Sequence, residues 1–313
     1  MVFKRIFEYS SFITDLKEQI EKTELSVFTK KTITTTLNKI NTSTKDTFIK
    51  EVMNVLNNKL TDNVNSKHTF IATIKSIIKN TNLKTILKKV ELELIENEFA
   101  KLKEMKENKD HMPCANDKQN DRHVSFKEMK NVLNKNKETL SKLDFLTYAL
   151  YTYQEPVRAD YNAVKIITDK YNIKDLDTTQ NYYSVKDNKF ILFEFKTNTI
   201  KQEPNVFTAP KDLQKIITSS LSETPRQFLI YNENIGSVNK PITANYLSHK
   251  IQAISKMLYN IPISINDIRH SYVAENNLDN KCYSDVRKSA DKMGHQVATA
   301  NLIYKKSYNK DIQ

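Results

Sequence analysis

The sequence predicts a mainly α protein with one small antiparallel β-sheet, an α+β chain, on three observations. Apolar residues recur at three- and four-residue steps through the first hundred positions. The period shortens to that of a strand in NYYSVKDNKFILFEFKT (181–197), and helical spacing returns after Pro241. At 313 residues the chain is long enough for two cores. Periodicity is lost in KENKDHMPCANDKQNDR (106–122), which places a helical domain over 1–107, a linker over 108–124 and a second domain over 125–313.

Taken in order, the first domain reads as four or five helices. Ile33, Leu37 and Ile40, then Phe48, Val52, Val55 and Leu56, keep helical spacing. Ser43 or Thr44 is placed to cap KDTFIKEVMNVLNNKL, and Ser66 to cap KHTFIATIKSIIKN. In the linker, His111, Cys114 and His123 make three possible zinc ligands with no fourth, so they read as solvated side chains and no metal is expected. Helix resumes from Ser125 to about Tyr153 with Leu133, Leu140, Leu143 and Leu146 on its apolar face. The run 181–197, rich in β-branched and aromatic residues around a polar KDNK turn, reads as a hairpin, with further short strands at Val164–Thr168 and Gln227–Tyr231. Pro241 suits the first turn of a helix, and the chain beyond it reads as helical almost to its end.

The formal net charge is +12, and residues 28–89 hold twelve lysines against Asp46, Glu51 and Asp62. Such a surface points to a polyanion, nucleic acid first, because cationic side chains that neutralise phosphates release condensed counterions. Lys30, Lys31, Lys39, Lys67, Lys75 and Lys79 are the predicted phosphate contacts. The plainer reading is a solvated lysine-rich surface from an AT-rich genome. Two distant cysteines, Cys114 and Cys282, suggest neither a metal pair nor a disulfide framework and fit a reducing compartment. No apolar run reaches the length of a membrane span and the start MVFKRIFEYSSF lacks a signal-peptide core, so a soluble intracellular protein is expected.

Arginine is scarce, six against forty-three lysines, so each position carries information. YALYTYQEPVRADY (148–161) holds Arg158, FILFEFKTNT (190–199) holds Lys196, and INDIRHSYV (265–273) holds Asn266 and Arg269. MGHQ (293–296) holds His295, and Tyr304 follows nine residues later. In this order the second half resembles the catalytic domain of the tyrosine recombinases, the phage-integrase-like family. The helical first half is similar to that family's core-binding domain. The resemblance spans about residues 20–310, with its motifs confined to 150–306. It implies Arg158 and Arg269 as the catalytic arginines, Lys196 as the lysine on a sheet turn, His295 as the histidine and Tyr304 as the nucleophile. The family often has a histidine three residues before the second arginine, where this chain has Asn266, and a polar insert, DKYNIKDLDTTQ (169–180), lengthens the approach to Lys196. His270 reads as a packed helix residue, and Tyr308 is the rival nucleophile.

The chemistry agrees with these residue types. Cutting a DNA strand by transesterification needs a nucleophile, donors for a phosphorane-like transition state and an acid for the leaving 5′ oxygen. Two guanidinium forks supply bidentate charged donors, which Lys does less well. A phenol of pKa near ~10 leaves a phosphotyrosyl bond that a DNA hydroxyl can attack again. Lys196 would protonate the leaving oxygen, and His295 would hydrogen-bond the phosphate or assist proton transfer. Asn266 can donate to phosphate but moves no proton. The resemblance thus implies a site-specific recombinase or integrase acting on double-stranded DNA as a dimer or tetramer, with no cofactor and no metal. A type IB topoisomerase uses the same residues. A DNA-binding protein that keeps the fold without the activity is the reading toward which Asn266 leans. The AT-biased composition suggests a mobile element, a large DNA virus or its satellite as the source.

Overall fold

The computed structural model describes residues 2–40, 42, 44–111, 114–195, 203–233, 239–276 and 283–294, with the side chains of 2–11, 283 and 284 left aside. The chain separates into two compact units, Met1–His111 and Met112–Gln313.

Unit 1 is helical: α1 (Val2–Glu21), α2 (Val27–Leu37), α3 (Phe48–Asn54) running on as a π turn over Val55–Lys59, α4 (Val64–Asn80), α5 (Leu83–Ile86) and α6 (Lys89–Asp110). Helix α4 is its hub, packing on α1, α2 and α6. It buries Phe70, Ile71, Ile74, Ile77 and Ile78, an i, i+1, i+4, i+7, i+8 stripe facing the core. Each such side chain contributes roughly 1.5–3 kcal/mol by leaving water. Asn63, not Ser66, caps α4: its side chain accepts from Asn65 N at 2.9 Å, so the helix starts earlier than expected. Asn caps as well as Ser, and the earlier cap wins because Val64 can then join the first turn. Thr44 does precede α3, through a 3₁₀ turn at Lys45–Thr47. Helix α6 continues through Asp110, past the residue expected to open the linker, and a five-residue helix α7 (Asp117–Asp121) lies within the rest of that stretch.

After α7, unit 2 continues with α8 (Phe126–Lys135) and α9 (Lys142–Thr152), two helices where the sequence predicts one. The break has a local cause. Asn136 closes α8 and folds its amide onto Val132 O, and Ser141 starts α9 by accepting from Asp144 N. Nearly every residue of α9 from Leu143 to Thr152 is buried, as suits a helix surrounded on all sides. It packs on α8, α10 (Lys211–Glu223), α11 (Ala244–Tyr259) and α12 (Ile265–Glu275). Thr243 caps α11, which leaves Pro241 outside the first turn. The last described helix is α13 (Tyr283–Lys292).

The sheet has four strands in the order β1 (Val164–Ile167), β2 (Asn181–Ser184), β3 (Lys189–Leu192), β4 (Asn205–Thr208). The expected hairpin is β2–β3, with Asn188 at φ 53 in its turn. The sheet is mixed rather than antiparallel, because β1 pairs with β2 in parallel. Parallel neighbours need a crossover of about a dozen residues, and the polar insert 169–180 supplies it. Gln227–Tyr231 forms no strand, only an isolated bridge from Phe228 to Lys165, and β4 goes unforeseen. Phe190 sits between Tyr161, Tyr183 and Phe207 at ring separations of 4.8–5.3 Å, and Tyr161 in turn packs edge-on against Tyr151 of α9. This aromatic layer fixes the sheet against the central helix.

Candidate functional site

Two sequence-predicted arginines meet at the C-terminal end of α13. Arg269, on α12, is wholly buried, and its Nη1 donates to Pro156 O at 2.7 Å and to Met293 O at 3.0 Å. Arg158, half-buried, follows α9 and caps a 3₁₀ turn at Ala159–Tyr161; its Nη1 donates to Gly294 O at 2.8 Å. Asn205 of β4 donates to Asp291 O and Lys292 O. Four successive carbonyls at a helix end are thus capped by side chains, two of them by cations where the macrodipole is negative. Gly294 adopts φ +68, the left-handed conformation that ends helices, and that turn aims its carbonyl at Arg158.

The segments on either side are held to the same place. Tyr151 donates its hydroxyl to Arg158 O at 2.8 Å, and burial holds that phenol protonated by raising its pKa well above the usual value. Asn181, buried at the start of β2, donates to Asp160 O and Glu194 O and accepts from Glu194 N. One amide therefore ties the turn after Arg158 to the strand exit before Lys196. Phe195 is buried, and its ring would lie 3.7 Å from a Cβ placed on Gly294. Asp160, half-buried beside both arginines, has its pKa raised to about 6 because burial outweighs the pull of Arg158 and then Arg269.

Arg158, Arg269 and the residues flanking Lys196 and His295 therefore come together from four separate stretches of chain. Lys196, His295 and Tyr304, with Tyr308, lie outside the described residues. Asn266 is exposed on α12, one turn before Arg269, and His270 is buried as the sequence reading expected. His123 corrects the picture of a solvated linker: it is buried, with Nδ1 3.4 Å from Ser271 Oγ. Cys114 is exposed, and among the described residues no group of three or more His, Cys, Asp or Glu side chains is arranged to hold a metal.

No family model and no curated protein matches this sequence. Among solved structures, the chain is similar to a XerA recombinase, with a TM-score of 0.42 and 13% identity over 96% of this chain and 95% of that one. It is also similar to a protelomerase TelA covalently complexed with substrate DNA, with a TM-score of 0.42 and 11% identity over 96% of each chain. Among the described residues no helix is long and apolar enough to cross a membrane.

The six lysines predicted on unit 1 divide into two kinds. Lys30 donates to Glu21 O at 2.6 Å, Lys67 pairs with Asp62 at 3.0 Å, and Lys75 pairs with Glu96 at 2.6 Å while sitting over the Phe99 ring. Lys79 borders a second hollow with Lys75, Lys84 and Glu96. Lys31 and Lys39 are exposed and line a groove of about 640 Å³ between α2 and α4, together with Lys59, which the sequence reading passed over. Periodicity alone does not separate these kinds, because the pairing partners lie off the lysine's own helix: Glu21 on α1, Glu96 on α6 and Asp62 in the loop before α4.

Proposed function

We propose that this chain is a site-specific DNA recombinase or integrase that cuts and rejoins strands through a 3′-phosphotyrosyl link to Tyr304. The observation that carries the reading is the convergence of Arg158 and Arg269 on Gly294 O and Met293 O, immediately before His295. Two scarce arginines more than a hundred positions apart gather where the motif order expects a phosphate. Asn181 and Phe195 bring the approach to Lys196 to the same place.

In the reaction, the Tyr304 oxygen attacks the scissile phosphorus as its phenol proton passes to His295, the bond to the 5′ oxygen breaks, and Lys196 gives that oxygen a proton. Arg158, the more exposed guanidinium, faces the phosphate, while Arg269 holds the helix end that positions it. Asn266 and His295 contribute hydrogen bonds to the phosphate. Unit 1 serves as the core-binding domain and unit 2 as the catalytic domain, and among the described residues Lys31 and Lys39 make none of the carboxylate contacts that occupy Lys67 and Lys75. Double-stranded DNA is the substrate, and protomers act in pairs or fours. Neither metal nor cofactor has a role in this scheme.

The test is adduct formation on a nicked DNA duplex in EDTA. Wild-type protein is expected to give a covalent protein–DNA species that Tyr304→Phe abolishes and Tyr308→Phe retains. An adduct that persists in Tyr304→Phe and vanishes in Tyr308→Phe would move the nucleophile. Plasmid relaxation without joined products would favour the type IB topoisomerase. The complete burial of Arg269 favours a third reading, a DNA-binding protein without strand transfer, and binding with no adduct from any duplex would select it.

A further inference from the structure

The α2–α4 groove carries an aromatic group that duplex phosphates alone do not require. Phe28 is 80% exposed in the first turn of α2, beside Val27 at 85%, so α2 presents an apolar tip to water. Phe28 also lines the groove, with Lys31 one turn further along α2 and with Lys39 and Lys59. Thr35 and Asn65 add polar lining, and among the described residues no carboxylate lines it. Charge complementarity selects an anionic occupant, and the ring selects one with an exposed flat face. A base in an intact duplex has both faces covered by its neighbours, whereas an unpaired base offers one.

We infer that this groove binds an unpaired nucleotide stretch of DNA, with Phe28 stacked on a base and Lys31, Lys39 and Lys59 on the flanking phosphates. The inference rests on the proposed reading of unit 1 as the DNA-binding unit, whose Lys31 and Lys39 it shares, and is independent of strand cleavage. A groove of about 640 Å³ is large enough for one or two nucleotides. The site would act where the strands are locally opened, a role separate from duplex contact by the rest of unit 1.

The full chain is titrated against a short single strand carrying 2-aminopurine, the same sequence as a duplex, and polyglutamate. Binding is expected to quench or enhance the 2-aminopurine emission. Phe28→Ala should weaken single-strand binding ~10-fold, equivalent to ~1.4 kcal/mol, and leave duplex binding unchanged, with Phe28→Trp restoring it. Lys31→Gln, Lys39→Gln and Lys59→Gln combined should lower the log–log salt slope for the single strand by roughly 2. These side chains are exposed, so an unchanged circular-dichroism melt is expected for every variant. Single-strand binding indifferent to Phe28→Ala, an equal loss on the duplex, or polyglutamate bound as tightly as the oligonucleotide would each overturn the inference. The Tyr304 adduct assay reads strand transfer separately, so either conclusion can fail alone.

Discussion

Arg269 makes two carbonyl hydrogen bonds from one nitrogen in a place with no solvent, so its geometry counts for as much as its charge. A lysine there keeps the charge but not the planar fork, and cannot reach Pro156 O and Met293 O with the same directions. Arg269→Lys is expected to cost about 1.5–3 kcal/mol in urea unfolding, the range for buried charge-assisted bonds, besides abolishing adduct formation. Arg158→Lys, at a half-exposed position, is expected to cost under about 1 kcal/mol while still removing most of the adduct. Equal destabilisation by the two would contradict this division. Asp160 adds a pH dependence with a defined sign. Its folded pKa, about 6, lies above the usual 3.8, so between those values the folded state holds the proton more tightly than the unfolded chain. The stability from this group is full below pH 3.8 and is lost as pH rises through 6. Asp160→Asn should remove that slope, gaining on wild type by up to roughly 3 kcal/mol as pH rises from 4 to 7. A wild-type-like slope in the variant would assign it elsewhere.

Among the elements, the end of α13 bears most directly on the site. Gly294 sits at φ +68, and a Cβ there would make only ordinary contacts, at 3.7 Å with Phe195 and 4.0 Å with Arg158. The penalty is therefore conformational, and Gly294→Ala is expected to cost about 1–2 kcal/mol and to slow adduct formation by turning the carbonyl away from Arg158. A variant of wild-type stability and rate would show the turn to be slack. How much of this was legible in the sequence follows from range. The β2–β3 hairpin is readable because its turn is local, whereas Arg158 and Arg269 are singled out among six arginines only by the resemblance their motifs carry. The parallel β1–β2 pairing is not, since nothing within 164–167 fixes the direction of a partner reached through thirteen residues. Asn181 and Asn205 went unread for a related reason: a side chain that bonds distant backbone leaves no periodic mark. The split of α8 from α9 was open to reading, because Ser141 with Asp144 three residues on is a start signal inside an apparently continuous helix.

Across the whole molecule, unit 1 packs around Phe48, Ile71 and Ile74, and unit 2 around Leu146, Phe190 and Ile268, as separate hydrophobic clusters. Scanning calorimetry is expected to resolve two transitions, with unit 1 expressed alone as residues 1–111 retaining a helical spectrum and its own melt. A single transition, with an unfolded isolated unit 1, would show one cooperative body. The capped end of α13 also imposes an order in time. Synthesis yields Arg158 and then Arg269 well before Met293 and Gly294, the carbonyls on which both guanidinium groups rest. Until that helix folds back, Arg269 lacks one of its two carbonyl acceptors and the pair has no common anchor. The candidate site is thus among the last things the chain can assemble, and a partly made copy can hold its lysine-rich first unit in shape without it.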